Sequence, residues 1–178
     1  EWGFSCMGYE ISGALGMKIA KPDNDIVVFI GDGSYLLQNS DIYSSVIYDK
    51  KLIIVVCDNG GHMVINRLQI SKGGKEYLSN LKAANTKNFF RVDFAQHAKS
   101  MGAEAENVES IAELEQAFIR AKKSDKTYVI SIKTDGYEWL EGTAFWESPT
   151  LQENFGSEEN KKAYEEFIKG KEKQRRGV

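Results

Sequence analysis

Short aliphatic runs alternate with amphipathic stretches along most of this 178-residue chain. Apolar positions cluster over Asp25–Ile30, Leu52–Cys57, Ala103–Val108 and Thr127–Lys133. Each run has strand length, and each is bounded by Gly, Pro, Asn, Asp or Ser. Between them lie stretches in which apolar residues recur every three or four positions, the spacing of one helix face. Such alternation of β and α segments predicts an α/β fold: a doubly wound, mainly parallel sheet with helices on both faces. The Leu52–Cys57 run is almost wholly aliphatic, which suits a parallel strand covered on both sides.

The helical stretches carry specific expectations. Gly8–Ala20 places Gly8, Ser12 and Gly16 four residues apart, a nearly bare stripe for close approach to a sheet or ligand. Ser40–Lys50 is predicted to bury Ile42, Val46 and Ile47, and Met63–Ile70 to form a short helix. Asp93 suits the N-cap of a helix carrying Phe94, Ala95, Ala98 and Met101 and closed by Gly102. Ser110 and Glu113 form a capping box ahead of Ile111, Leu114, Ala117, Phe118 and Ala121. Ala103–Val108 reads as a short polar edge strand, and Ser157–Gln174 as a charged helix with Ala163, Tyr164, Phe167 and Ile168 on one side. Ser71–Arg91 has no clean period, and a loop of about 20 residues in a compact domain is often functional. Residues 1–155 are expected to form one domain, and 156–178 a helix and tail.

Composition narrows the class. With 42% hydrophobic and 28% charged residues the chain resembles ordinary globular protein. Its net charge of −3, from 23 Lys+Arg against 26 Asp+Glu, argues against nucleic acid or an anionic membrane as partner. No apolar stretch approaches bilayer-spanning length. Cys6 and Cys57 lie in apolar surroundings and read as reduced core thiols of a cytoplasmic protein. The opening Glu1-Trp2-Gly3-Phe4 has neither an initiator Met nor a signal-like apolar run, so a fragment of a longer chain is expected.

Candidate chemistry sits at two strand ends. Gly31-Asp32-Gly33-Ser34 follows the first strand, and Asp58-Asn59-Gly60-Gly61 follows the second. Asp32 and Asn59 are 27 positions apart, room for one crossover between neighbouring parallel strands. Taken alone, the first tetrapeptide equally suits a turn or an N-cap. Together the two ends supply a carboxylate, an amide oxygen and the Gly61 carbonyl for a hard cation, with the Gly33 and Ser34 N–H groups free for phosphate oxygens. Mg²⁺ keeps one or two protein carboxylates and fills its octahedron with phosphate and water. Asp58 competes with Asn59 as ligand but reads better as a strand-end residue bonded to local backbone.

The Gly-Asp-Gly-Ser to Asn59 pattern resembles the diphosphate-binding domain of thiamine diphosphate-dependent enzymes, the acetolactate synthase and pyruvate decarboxylase superfamily. Gly3-Phe4-Ser5-Cys6-Met7-Gly8-Tyr9 is similar to the segment that precedes a helix in that family. The resemblance covers roughly residues 3 to 135. It implies thiamine diphosphate and Mg²⁺ as cofactors, with Asp32, Asn59 and the Gly61 carbonyl on the metal and Gly31, Gly33, Ser34 and Gly61 around the diphosphate. It also implies that Met7 wedges the cofactor into its bent form, and that the Ser5 carbonyl and Met7 N–H bond the pyrimidine edge. Phe4–Ile11, Gly31–Leu36 and Ile65-Asn66-Arg67-Leu68-Gln69 resemble the inositol-catabolic branch, whose members hydrolyse the cyclic 3D-(3,5/4)-trihydroxycyclohexane-1,2-dione to 5-deoxy-glucuronic acid. Two departures stand out. Asp58 replaces the first Asn of the family's pair, and Gly61-His62-Met63-Val64 replaces an expected Gly-Phe-Gly-Cys near the substrate.

By the same resemblance the activating Glu belongs to a separate pyrimidine-binding domain, usually on a partner subunit of a homo-oligomer, and this chain alone is expected to be inactive. Two alternatives stay open: a 2-keto acid carboligase or decarboxylase, and a non-catalytic interaction module. His62 suits either a substrate contact or an exposed loop position. Asn66 and Arg67 suit either a substrate pocket or a solvated helix face. His97 reads as a surface residue, and Lys171–Arg176 as a solvated tail. Trp139, Phe145 and Trp146 suit a docking surface or core.

Overall fold

The computed structural model describes residues 6–84, 90–138 and 156–173. Its secondary structure runs α1 (Tyr9–Ala20), β1 (Val27–Gly31), α2 (Asp32–Leu37), α3 (Ser40–Ile47), β2 (Ile53–Asp58), α4 (Met63–Ser71), a 3₁₀ turn (Leu81–Ala83), α5 (Phe94–Ser100), β3 (Glu104–Val108), α6 (Ile111–Lys123), β4 (Tyr128–Lys133) and α7 (Glu158–Lys173). Two compact units emerge: Glu1–His62 with Lys87–Asp135, and Met63–Thr86 with Gly136–Val178.

The first unit is a four-stranded, wholly parallel sheet in the order β1-β2-β4-β3. Moving from β1 to β2, and from β2 across to β3, the chain steps in one direction. It then steps back from β3 to β4. With a single crossover hand, that reversal places α6 on the opposite face from α2, α3 and α5. The cores follow this division. Val28, Ile30, Ile54, Val56, Ala105 and Val129 pack with Ile11, Leu15, Ile42, Phe94 and Ala98 on one face. On the other, Ile53, Val55, Tyr128, Ile130 and Ile132 pack with Ala117 and Ala121 of α6. β4 is buried along its first five residues because it is central, whereas β3 lies at the sheet edge, as its polar sequence predicts.

A buried relay ties the start of the sheet together. Thr127 Oγ1 accepts from the Leu52 N–H at 3.1 Å and lies 2.7 Å from Ser45 Oγ, which donates to the Ile42 carbonyl at 2.7 Å. The predicted caps also form. Asp93 accepts from Gln96 N, and Ser110 accepts from Glu113 N. Glu113 itself reaches one residue beyond its usual capping-box partner and accepts from Glu109 N at 2.8 Å.

Several expectations need correction. Ile47 and Ile111 are exposed at 53% and 66%, because each stands at a helix end past the buried stripe. The small-residue stripe of α1 makes its close approach only at its start, where Gly8 lies against Gln38 and Ser12 Oγ accepts from Gln38 Nε2 at 2.7 Å. Gly16 has no neighbour that a Cβ would meet, and Ile11, Ala14 and Leu15 form the buried face instead. Cys6 is exposed, since it precedes α1 outside the core, and Cys57 is half-buried; both are free thiols. His97 is not a plain surface residue, for its Nδ1 lies 2.9 Å from the hydroxyl of fully buried Tyr35, whose phenol burial holds in its protonated form.

In the second unit, Lys72 Nζ stands 4.4 Å from the centroid of the buried Phe167 ring, and the Lys72 carbonyl accepts from Asn160 Nδ2 at 2.6 Å. These contacts fasten α7 to the segment after α4. Residues 139–155, which include Trp139, Phe145 and Trp146, and residues 174–176 of the basic tail lie outside the described residues.

Candidate metal centre

Parallel register determines where the two strand ends meet. Gly31 pairs with Cys57 at the last rung between β1 and β2. Asp32 therefore starts α2 beside the point where β2 ends in Asp58 and the chain turns through Asn59. Gly31 is extended, at φ −76° and ψ 156°, and serves as N-cap, so Asp32, Gly33 and Ser34 occupy the first helical turn. Gly60 and Gly61 take φ values of 88° and 144°, which a side chain would strain. Their turn brings the Gly60 N–H within 3.2 Å of both Asp32 Oδ2 and Asp58 Oδ1.

Asn59 closes the corner. With its nitrogen turned inward, the Asn59 amide donates to Asp32 Oδ1 at 3.0 Å and to the Gly61 carbonyl at 2.9 Å. With the amide turned over, the Asn59 oxygen takes the same place, and three oxygens crowd together with no proton between them. With Asp32 ionised, a cation makes that arrangement favourable. Ligands about 2.0–2.1 Å from Mg²⁺ at right angles lie about 2.9 Å apart, so both spacings match edges of its octahedron. The residues present fit such an ion. Among the described residues no group of three or more His, Cys, Asp or Glu could hold a metal, so a site here draws on amide and carbonyl oxygens.

The electrostatics agree. Asp32 is 2% exposed, and burial raises its pKa; the Asp58 charge raises it further, against the N–H groups of Asn59, Gly61 and Gly33. Burial, then the Asp32 charge, also raises the Cys57 thiol. A positive charge at the corner would offset the cost of keeping Asp32 ionised. Asp58 points elsewhere, its Oδ2 being 3.4 Å from Arg91 Nη1. A cavity of about 290 Å³ opens beyond this pair at the carboxyl ends of β2, β3 and β4, lined by Asp58, Arg91, Asn107, Glu109, Ser131 and Lys133. Nothing local in the sequence links Arg91 to Asp58; only the tertiary fold reveals the pair.

The other predicted residues fall as follows. The His62 ring covers Gly33 so closely that a Cβ there would stand 2.5 Å from His62 Nδ1, a buried nitrogen without a hydrogen-bond partner. Ser34 is buried, and a Cβ on Gly31 would meet nothing. Gly8, at φ 92°, lies against Gln38 Cβ and the Ser34 carbonyl, which brings the Met7 segment beside α2. Met7 itself is 41% exposed, and Ser5 lies outside the described residues. Asn66 is fully buried, which removes the solvated-face reading of that residue.

Fold and sequence together are those of a thiamine diphosphate-binding domain. The chain belongs to the family described as thiamine pyrophosphate enzyme, C-terminal TPP binding domain, whose model matches residues 1–132. It is 37% identical over 171 residues to a 3D-(3,5/4)-trihydroxycyclohexane-1,2-dione hydrolase of Halalkalibacterium halodurans, an alignment covering 93% of this chain and 26% of that protein. The hydrolase of the same name from Bacillus subtilis is 35% identical, over 90% of this chain and 26% of its own length. The chain thus spans about a quarter of these relatives. The thiamine diphosphate-dependent 4-hydroxybenzoylformate decarboxylase of Rhodococcus jostii RHA1 shares the fold, with a TM-score of 0.60 and 22% identity over 72% of this chain and 23% of that one.

Proposed function

We propose that this chain is the diphosphate- and Mg²⁺-binding part of a cytoplasmic thiamine diphosphate-dependent hydrolase that cleaves a C–C bond in a cyclic, polyhydroxylated dione, a step of inositol catabolism. The observation that carries the reading is the corner of Asp32, Asn59 and Gly61, with its 3.0 and 2.9 Å spacings. Asp32 Oδ1, the Asn59 oxygen and the Gly61 carbonyl would hold the cation, and the Gly33 and Ser34 N–H groups the diphosphate. Met7 and the Ser5 backbone would position the aminopyrimidine ring. When bound, the cofactor supplies a thiazolium carbon that adds to a carbonyl and accepts the electrons of the breaking C–C bond. The residues of this chain orient that group and neutralise its phosphate charge. Protonation of the pyrimidine falls to a Glu of a pyrimidine-binding domain elsewhere in the same or a partner subunit of a homo-oligomer.

Calorimetry of the longer protein with thiamine diphosphate and Mg²⁺ tests the binding, and loss of heat in Asp32→Ala and Asn59→Ala is the expected result. Unaltered binding in both variants would refute the metal assignment. Turnover of pyruvate but not of the cyclic dione would replace the hydrolase by a carboligase or decarboxylase.

A further inference from the structure

Two carboxylates stand at the corner, yet only Asp32 bonds to the Asn59 amide. Asp32 and Asp58 share one donor, the Gly60 N–H, which lies 3.2 Å from Asp32 Oδ2 and 3.2 Å from Asp58 Oδ1. The Asp58 charge reaches Asp32 and raises its pKa. Asp58 is therefore a competitor for any cation held beside Asp32, unless something keeps it out of the ligand set. Arg91 does so. Its Nη1 is 3.4 Å from Asp58 Oδ2, and the Asp58 side chain is 7% exposed, so the guanidinium supplies charge that water is poorly placed to replace. Arg91 Nη2 lies over the same turn, 3.1 Å from where a Cβ on Gly60 would stand. One side chain thus lies against both the competing carboxylate and the turn that carries Asn59 and Gly61.

Both partners are anchored by their own elements. Asp58 ends β2, where its carbonyl accepts from Thr134 N at 2.9 Å. Arg91 precedes Val92, which packs on the core, and Asp93, which caps α5. Without Arg91, Asp58 keeps the N–H that it shares with Asp32, and two negative charges face each other in a buried place. A divalent ion in the corner then offers the positive charge that Arg91 supplied. The difference shows in the charge balance. One carboxylate with two neutral oxygens leaves a divalent ion at +1, which diphosphate oxygens complete, whereas two carboxylates neutralise the ion without any phosphate.

We propose that Arg91 is a positioning residue of the cation site: by holding Asp58 it limits the site to one carboxylate, so that the divalent ion binds together with the diphosphate and not before it. The inference deepens the cofactor reading given above and rests on it. The test is a titration of the longer protein with Mn²⁺, with and without thiamine diphosphate, bound ion being read from the loss of the free Mn²⁺ EPR signal; Mn²⁺ takes the same oxygen ligands as Mg²⁺. In the unaltered protein thiamine diphosphate should tighten Mn²⁺ binding strongly. In Arg91→Met, Mn²⁺ without cofactor should bind about tenfold tighter or more, and the tightening by cofactor should shrink by a like factor. Adding Asp58→Asn to Arg91→Met should remove the gain, because the freed carboxylate is gone. Arg91→Gln, neutral but still able to donate to Asp58, should show a smaller gain and serves if Arg91→Met does not fold. Metal-alone affinity unchanged in a folded Arg91 variant would overturn the proposal. So would a gain that survives Asp58→Asn, since that would reflect the lost charge and not the freed carboxylate. Cofactor-tightened binding in the unaltered protein with no gain in the variants removes only the role of Arg91. Absence of cofactor binding in the unaltered protein removes the proposed function itself.

Discussion

Replacing Asp32 by Asn separates the two roles the corner combines. The side chain is 2% exposed and stands near a second buried carboxylate, so its charge is costly when no cation is present. Burial, and then the neighbouring Asp58 charge, hold its folded pKa above the ordinary aspartate value. The folded state therefore binds the proton more tightly than the unfolded chain does. The stability from that proton is full below the unfolded pKa and is lost as pH rises through the folded one. Asp32→Asn should accordingly flatten this part of the stability–pH profile and leave the metal-free chain at pH 7 at least as stable as the parent. Mg²⁺ with diphosphate should do the reverse. At a hundredfold excess over Kd, a ligand bound only by the folded state adds about 2.7 kcal/mol. For a chain of this size that amounts to a rise in Tm of about 5–11 °C. Thermal melts with Mg²⁺ and thiamine diphosphate should show that rise in the parent and almost none in Asp32→Asn. An equal rise in both, or a variant much less stable than the metal-free parent, would refute the assignment.

Further expectations follow from the packing. Gly33→Ala places a Cβ 2.5 Å from His62 Nδ1, so it should destabilise alone, and adding His62→Ala should recover on the order of 1 kcal/mol in a double-mutant cycle. Thr127→Val strands the Leu52 N–H and should cost roughly 1–3 kcal/mol by urea unfolding, with Thr127→Ser milder because it keeps the relay. Arg91→Ala leaves Asp58, whose side chain is 7% exposed, without this partner; stability should fall, and Asp58→Asn in the same chain should restore much of it. If Asp58→Asn adds nothing, the pair is incidental.

The fold was legible because a parallel sheet writes itself in aliphatic runs. Leu52–Cys57 is buried on both faces as its unbroken aliphatic run predicts, whereas Thr127–Lys133 reads as an alternating strand and is buried on both faces up to Ile132 because β4 is central. The two halves of the corner were legible too, because each lies within a few residues of its strand end and the register then brings them together. What stayed hidden depends on long-range placement. No local pattern pairs Arg91 with Asp58, aims the His97 ring at the Tyr35 hydroxyl, or buries Asn66. Helix faces were read well at their centres and poorly at their ends, where Ile47 and Ile111 run past the sheet that periodicity assumes. The α1 stripe is legible at Gly8 and Ser12, which meet Gln38, but not at Gly16, because small residues allow close approach without requiring it. α2 escaped notice since Gly-Asp-Gly-Ser reads as a turn, and only the extended Gly31 N-cap reveals a helix starting at Asp32.

The most direct test is a crystal structure of the protein with Mg²⁺ and thiamine diphosphate, examined at the Asn59 amide. The ion should lie about 2.0–2.1 Å from Asp32 Oδ1, the Asn59 oxygen and the Gly61 carbonyl, with the amide turned over from its metal-free orientation. An ion bound elsewhere, or an Asn59 NH₂ group still bridging Asp32 and Gly61 in its presence, would contradict the account.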